Sequence, residues 1–221
     1  MLPVKLQQAF SAEIRGMPFF SFPDVKFHSE GYSNAVFRVR SRGKDYAVRF
    51  SKSPALKKAV FVQHDYEKAV WKQVARLHLS PKIFHAGTAR IAGRKFPFSV
   101  QEFVSGRPLD HSKDLLALAK ALTRLHGGTR KAGEGLHKTG DVVAWAGNQL
   151  CYYERKSFSQ VSAGIRKLLR KAIKTADRSL VGILSCRSCL VHNDLVSDNV
   201  LVSRGRVFFI DWGWAMLSSP A

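Results

Sequence analysis

The segment Leu190–Ala215 carries polar side chains whose types and spacing suit phosphoryl transfer. His192, Asp194 and Asn199 come first, and a short apolar strand then ends in Asp211, seventeen residues after Asp194. Transfer of a phosphoryl group from ATP requires a carboxylate beside the attacking hydroxyl and oxygen ligands that hold Mg²⁺ against the phosphates. The His-x-Asp-x-x-x-x-Asn spacing supplies a base and one metal ligand from a single loop, and the strand supplies a second carboxylate. The alternative is a polar turn followed by an ordinary core strand.

The composition indicates a folded protein of one or two domains. The chain has 221 residues, 45% of them hydrophobic, with 15 Phe and 4 Trp, which is enough to build a sizeable core. The sequence contains no uncharged apolar run of about 18 residues, so no transmembrane helix is expected. The first seventeen residues lack the pattern of a secretory signal, and we therefore expect a cytoplasmic protein.

The chain is strongly basic, with a formal charge of +20 and a pI of about 10.3. Such a field attracts nucleotides, acidic substrates, nucleic acid or anionic membrane surfaces. Residues 165–178 form a predicted basic amphipathic helix, in which Arg166, Arg170, Lys174 and Arg178 recur at every fourth position. Its basic side is either a solvated face or a dock for an anionic partner. No specific nucleic-acid motif accompanies it.

The three cysteines do not form a disulfide framework. Cys186 and Cys189 make one Cys-x-x-Cys pair with His192 nearby, but a zinc site requires a second pair or histidines at ligand spacing. Structural thiols are therefore favoured over zinc or redox chemistry, and whether this pair binds metal stays open.

Hydrophobic periodicity and turn residues predict the elements. The predicted elements are β structure over residues 25–50 with strands Asn34–Arg40 and Asp45–Phe50, a helix over 55–78, strands Ile83–Ile91 and Phe96–Val104, a turn-rich linker over 105–108, a helix Leu115–His126 and helices within 141–178. This order predicts an α+β, two-lobed fold: a β-rich N-lobe over 1–104 and a largely helical C-lobe over 105–221. A cleft between two lobes is a natural nucleotide site.

The turn Gly31-Tyr32-Ser33-Asn34 is a candidate phosphate loop. Glycine lets backbone N–H groups approach a phosphate, and Ser33 and Asn34 add side-chain donors. An ordinary β-turn is the alternative. Glu102 and Val104 end the last predicted strand before the linker, where an adenine would bond to backbone groups.

Arg49 lies on the strand Asp45–Phe50 where kinases carry a phosphate-binding lysine, and arginine keeps that charge. Glu67, on the next helix, is the expected partner that orients Arg49. Two alternatives remain: Arg49 is a solvated strand charge, or Glu67 pairs with Lys68 or Lys72 on its own helix.

The motifs HNDLVSDNVL and FIDWGWA resemble the aminoglycoside phosphotransferase and choline kinase superfamily, on its choline/ethanolamine- and thiamine-kinase-like side. The resemblance extends over about residues 25–215 and implies a protein-kinase-like fold that binds ATP and Mg²⁺. It implies that Asp194 is the base, that Asn199 and Asp211 bind Mg²⁺, and that His192 braces the loop. Arg49 would hold phosphate.

Two departures from the family bear on the acceptor. Only ten residues follow Asp211, whereas family members continue with helices that help to form the acceptor pocket, so the chain is expected to be C-terminally short. Gly213 stands where choline-type relatives tend to carry an acidic residue. Trp212 and Trp214 are interpreted as core residues rather than as a cage for a quaternary amine.

These features predict a phosphotransferase that uses ATP and Mg²⁺ to phosphorylate a hydroxyl group of a small molecule such as an amino alcohol, aminoglycoside or sugar. Two alternatives stay open. One is a compact atypical protein kinase of the RIO type, which also uses a His-x-Asp loop. The other is a catalytically silent, basic binding protein on a kinase scaffold.

Overall fold

The computed structural model describes residues 2–54, 58–129, 136, 164 and 189–218. It divides the chain into two compact units, the first comprising Met1–Ala121 with Leu195–Gly213 and the second Leu122–Asp194 with Trp214–Ala221. Their boundaries do not test the predicted lobes 1–104 and 105–221, which stay a prediction. The helices predicted within 141–178 and the basic helix 165–178 lie outside the described residues, as does Cys186, whereas Cys189 is buried.

The first unit is built on a five-stranded antiparallel sheet with strand order β1-β2-β3-β5-β4. Its strands are β1 (Asp24–Glu30), β2 (Asn34–Ser41), β3 (Lys44–Ser51), β4 (Ile83–Ile91) and β5 (Arg94–Glu102). Arg42 and Gly43 both have positive φ, 51° and 73°, as the tight hairpin turn between β2 and β3 requires. The predicted strands at 34–40, 45–50 and 83–91 are thereby confirmed to within two residues, while the strand predicted at 96–104 lies over 94–102.

Three α-helices have described bounds: α1 (Val4–Gly16), α2 (Lys58–Val74) and α3 (Leu115–Gly128). The helix predicted over 55–78 is shorter, because a one-turn 3₁₀ helix follows at Ala75–Leu77 and His78 takes a left-handed conformation with φ 51°. The helix predicted over 115–126 runs two residues further. Gly127 and Gly128 were expected to end it, but glycine lowers helical propensity without forbidding the conformation. Among the described helices, none has the length and apolar character that a membrane crossing needs.

The helix α1 was not predicted, yet it supplies the centre of the first core. Phe10 and Ile14 are fully buried, and the Phe10 ring stacks on Phe50 with 4.4 Å between centroids and meets Phe37 and Phe96 edge-on. A sheet with one apolar face needs such a cover, because its aromatic side chains would otherwise contact water. The sequence does carry a signal for this helix, because Leu6, Phe10 and Ile14 recur at every fourth position, as on one face of a helix.

The linker 105–108 is part of a second sheet of the first unit. Its strand β6 (Arg107–Pro108) pairs with β8 (Val200–Ser203), which pairs with β9 (Arg206–Phe209). Pro108 is tolerated because β6 is an edge strand. Gly106 is required because a Cβ there would lie 2.8 Å from the Val202 carbonyl oxygen. The prediction of a simple turn was therefore incomplete.

The start of α3 is held by a charge-assisted clamp. Arg107 donates to both carboxylate oxygens of Asp114, at 2.6 and 2.8 Å, and the Asp110 N–H donates to Asp114 Oδ2 at 2.9 Å. The Leu118 N–H donates in turn to the Asp114 carbonyl. Arg107 and the Asp110 N–H hold the pKa of Asp114 below its usual range, because both favour the carboxylate.

The second unit contains a two-stranded antiparallel sheet of β7 (Cys189–Val191) and β10 (Met216–Ser218). The buried Thr129 hydroxyl donates to the Leu125 carbonyl at 2.6 Å and accepts from the Leu190 N–H at 3.0 Å. These two bonds fix β7 to the end of α3.

Replacement of Phe10 by alanine should lower the free energy of unfolding by about 3–5 kcal/mol, because it removes a fully buried ring and leaves a cavity. Urea denaturation followed by circular dichroism measures this. Phe22→Ala is the matched control, since Phe22 is fully exposed and its loss should cost less than about 0.5 kcal/mol. Equal effects of the two substitutions would contradict the packing of α1.

Replacement of Asp114 by asparagine should lower stability at neutral pH but not in acid. A carboxyl with a lowered folded-state pKa contributes stability above its ordinary value, and that contribution disappears as the pH falls. The difference in urea midpoint between wild type and Asp114→Asn should therefore be present at pH 6 and shrink below about pH 4. Asp24→Asn, at an exposed surface pair with Lys26, should show no comparable change. A difference that is constant with pH would contradict the clamp.

Candidate functional site

The guanidinium of Arg49 is the centre of a polar network inside the first unit. It donates from Nη1 to Glu67 Oε2 at 2.6 Å, and from Nη2 to Glu67 Oε1 at 3.3 Å and to Asp211 Oδ1 at 2.8 Å. With its amide oxygen facing the guanidinium, Asn34 accepts from Nη2 at 2.6 Å and Nε at 3.2 Å. The network thus joins β2, β3, α2 and the segment after β9.

Burial makes this network costly to form, because its charged groups lose their contact with water. The side chain of Glu67 is 4% exposed and that of Arg49 is 15% exposed. Burial raises the pKa of Glu67, and the Arg49 guanidinium opposes this rise. Burial disfavours the charge on Arg49, but the carboxylates of Glu67 and Asp211 outweigh it and raise the arginine pKa. The two carboxylates therefore offset the cost of burying this cation.

This geometry decides between the interpretations of Glu67. Glu67 pairs with Arg49, as the sequence predicted, and the alternative that placed Arg49 in solvent is wrong. The contact between Arg49 and Asp211 was not predicted. Neither was the role of Asn34, which was expected to donate to phosphate but whose amide oxygen lies against Arg49.

Asp211 lies in a strained backbone conformation. Its φ is +60°, a left-handed value that non-glycine residues adopt rarely and that aspartate tolerates better than most. The segment is held on both sides, because the Phe209 N–H donates to the Leu79 carbonyl at 2.7 Å and Trp212 Nε1 donates to Ser80 Oγ at 3.3 Å. Strain of this kind persists only where the surroundings impose it, and it is concentrated at functional sites.

Asn199 and Asp211 lie close together in the first unit. The Ile210 N–H donates to the Asn199 carbonyl at 2.9 Å, which fixes the residue before Asp211 to the one-turn helix Ser197–Asn199. Both side chains line a cavity of about 400 Å³ that Arg49 also lines. Two predicted metal ligands and the predicted phosphate-binding cation therefore share one cavity wall.

The same cavity contains most of the other predicted binding residues. Gly31, Asn34, Glu102 and Val104 line it, whereas Ser33 and Glu67 do not. The Gly31 N–H donates to the Asn34 carbonyl at 2.9 Å. The Glu102 N–H donates to the Lys82 carbonyl at 2.8 Å. Both amides are thus used within the protein, and the phosphate and adenine assignments of these residues stay predictions.

Apolar residues that were not predicted complete the cavity. Four aliphatic side chains line it, namely Val36, Ala47, Leu201 and Ile210. A signal for the first two exists in the sequence: alternate residues of a strand face one side, so Val36 shares a face with Asn34 and Ala47 with Arg49. Leu201 on β8 and Ile210 just after β9 could not be found in this way, because no local pattern connects these segments to the first sheet.

Asp194 and His192 belong to the second unit. His192 is buried at 1% exposure, and Asn193 between them has φ +61° and donates from Nδ2 to the Trp214 carbonyl at 3.2 Å. Their catalytic assignments stay predictions. Trp212 is fully buried, as expected of a core residue, but Trp214 is 53% exposed, so its core assignment was wrong. Among the described residues, no cluster of three or more His, Cys, Asp or Glu side chains could hold a metal ion.

Replacement of Arg49 alone should destabilise the protein more than replacement of Arg49 and Glu67 together. Arg49→Met strands a buried carboxylate and should cost about 3–5 kcal/mol, whereas Arg49→Met with Glu67→Leu should recover part of this loss. Urea denaturation of both single variants and the double variant measures the coupling.

The exposed pair Arg38–Asp45, with 2.7 Å between Nη2 and Oδ2, is the matched control for that coupling. Its alanine cycle should give less than about 1 kcal/mol. Strictly additive effects at Arg49 and Glu67 would contradict the network.

Comparison with solved structures shows the fold. The structure of aminoglycoside phosphotransferase APH(4)-Ia matches with a TM-score of 0.69 at 19% identity, over 95% of this chain and 73% of that chain. A choline/ethanolamine kinase family protein from Mesorhizobium loti matches with a TM-score of 0.67 at 16% identity, over 97% and 67%. Amicoumacin kinase hAmiN in complex with AMP-PNP, Ca²⁺ and Ami matches with a TM-score of 0.65 at 15% identity, over 96% and 65%.

Comparison of sequences identifies the family. No curated protein matches the chain. The APH phosphotransferase enzyme family matches residues 24–221, which is most of the sequence, and the α+β fold agrees with this match. The resemblance drawn from the two motifs is thereby confirmed: this chain belongs to the phosphotransferase enzyme family.

Proposed function

We propose that the protein is an ATP- and Mg²⁺-dependent phosphotransferase that phosphorylates a hydroxyl group of a small molecule. The observation that carries this proposal is the position of Arg49, paired with Glu67 and Asp211 at the wall of a cavity that Asn199 also lines. A cation, a carboxylate and an amide oxygen at one wall suit a nucleotide triphosphate with its metal. Family membership supports the same reaction class.

The donor set fits Mg²⁺. Asp211 and Asn199 offer carboxylate and amide oxygens, and Mg²⁺ is commonly held by one or two protein oxygens together with substrate phosphates. When bound, the ion would neutralise charge on the phosphates. The absence of a cluster of three acidic or histidine ligands among the described residues agrees with this mode of binding, because the phosphates complete the coordination.

Arg49 would act on the phosphates from a fixed position. Its donors already serve two carboxylates and an amide, so the guanidinium is preorganised and costs little reorganisation when charge develops. Asp211 shares Arg49 with Glu67 and is the more exposed of the two carboxylates, at 39%. Binding of a cation at Asp211 would therefore leave Arg49 held by Glu67.

The apolar part of the cavity would receive the adenine. Four residues offer aliphatic surfaces that suit a flat ring. They are Val36 and Ala47 from the first sheet, Leu201 from β8 and Ile210 from the segment after β9. Val104 lies at the edge of this cavity, where a backbone group would bond to the base. The sequence predicted Glu102 for the same task, but its N–H already donates to Lys82.

Asp194 would accept the proton of the acceptor hydroxyl, and buried His192 would brace the loop that carries it. The acceptor belongs to the class of amino alcohols, aminoglycosides or sugars, and the similar structure of the aminoglycoside phosphotransferase APH(4)-Ia contains AMP-PNP and hygromycin B. The charge of +20 opposes the approach of a strongly cationic acceptor. Within this class we therefore favour a neutral or weakly charged polyol over choline or a polycationic aminoglycoside.

Replacement of Asp194 by asparagine should lower kcat for phosphorylation of the acceptor by about 10²–10⁴ with little change in nucleotide affinity, because a general base acts in the transition state and not in binding. The assay measures Mg²⁺-dependent ATP turnover over a panel of sugars, amino alcohols and aminoglycosides, with ATP affinity measured by calorimetry.

Asp24→Asn, at an exposed residue that does not line the cavity, is the control for the loss of one carboxylate. Turnover that is indifferent to Asp194→Asn would exclude this residue as the base. Labelling of a protein instead of any small acceptor would favour the atypical protein kinase. Nucleotide binding without turnover in the wild type would favour a silent scaffold.

A further inference from the structure

A second cavity of about 700 Å³ lies in the first unit, lined by residues of α2, the segment that follows it, β4, the end of β5 and β9. This volume is typical of small-molecule sites. The proposed phosphoryl transfer does not use it, although Trp71, Ser80, Pro81 and Glu102 line both cavities.

The lining of this second cavity is strongly cationic. It contains the side chains of Lys68, Lys72, Lys82 and Arg206 against the single carboxylate of Glu102. Glu102 Oε2 itself accepts from the Lys82 N–H at 3.2 Å. Within the part of the chain that the structure describes, no carboxylate forms an ion pair with Lys72, Lys82 or Arg206. The surplus of positive charge favours an anionic occupant.

Aromatic groups accompany these cations. Trp71 and Phe208 line the cavity while their side chains are mostly buried, at 7% and 8% exposure. The Arg206 guanidinium lies over the Phe208 ring, with 5.0 Å between Cζ and the ring centroid, and Nη2 is 3.5 Å from the His78 carbonyl. A guanidinium held on a ring in this way is oriented for bidentate recognition of a planar or tetrahedral anion.

We propose that this cavity binds an aromatic organic dianion, with its ring against Trp71 and Phe208 and its acidic group toward Lys72, Lys82 and Arg206. Both features are needed: the cations supply attraction for the charge, and the aromatic side chains supply an apolar surface for the ring. The site is separate from the proposed reaction and does not depend on it.

The test is isothermal titration calorimetry of the full chain with 2-naphthyl phosphate. Wild type should bind it, and Lys72→Gln, Lys82→Gln and Arg206→Gln should each weaken binding about threefold to fivefold, since each exposed charge contributes modestly. Lys44→Gln and Arg94→Gln remove exposed cations that line neither cavity and should change nothing.

Two further titrations measure separately what the charged group and the aromatic ring of the ligand contribute to binding. Uncharged 2-naphthol and inorganic phosphate each lack one half of the ligand, and both should bind at least about tenfold more weakly than 2-naphthyl phosphate. Equal binding of either compound would overturn the proposal, as would the absence of binding by 2-naphthyl phosphate.

The location of binding gives the last test. Binding that ignores the three cavity variants but is abolished by competing ATP would place the ligand in the nucleotide cavity and overturn the proposal. Polyuridylate that competes with 2-naphthyl phosphate and loses affinity in the same three variants would identify a nucleic-acid surface, and that result would overturn it too.

Discussion

The pairing of Arg49 is the constraint on which the first unit depends. A buried guanidinium is costly unless carboxylates surround it, and here one carboxylate comes from α2 and the other from the segment after β9. Arg49 itself lies on β3. Because all three elements must meet at one cation, their relative positions are fixed by an electrostatic requirement and not by packing alone. The same requirement places Asp211 at the wall of the nucleotide-sized cavity.

Apolar packing holds the scaffold that bears this network. The ring of Phe10 on α1 fills the face of the five-stranded sheet, where it contacts Phe37, Phe50 and Phe96. β3 contributes Phe50 to this core and Arg49 to the opposite face, as the alternation of a strand demands. One strand therefore carries both the packing that stabilises the unit and the cation that we propose acts on phosphate.

Charge is distributed unevenly around the nucleotide-sized cavity and the cationic cavity. In the smaller cavity the cation Arg49 is balanced by Glu67 and Asp211, so the wall offers both positive charge and oxygen ligands. The larger cavity is lined by Lys72, Lys82 and Arg206 and by one carboxylate, that of Glu102, so its wall offers an excess of positive charge. A metal with a polyphosphate suits the first arrangement, and an organic anion suits the second. The high net charge of the chain is thus expressed at the larger cavity and not at the smaller one.

The reaction class, the family and most strand positions could be predicted from the amino-acid sequence. These properties are local. The spacing of Asp194, Asn199 and Asp211 lies within one short stretch of the chain, and the alternation along β2 and β3 lies within single strands. Other features became known from the fold. Glu67 pairs with Arg49 rather than with a lysine on its own helix, and Asp211 shares that cation. The helix α1 covers the sheet, and Trp214 is exposed. The physical reason is that burial and ion pairing depend on residues far apart in the chain, which no local pattern records.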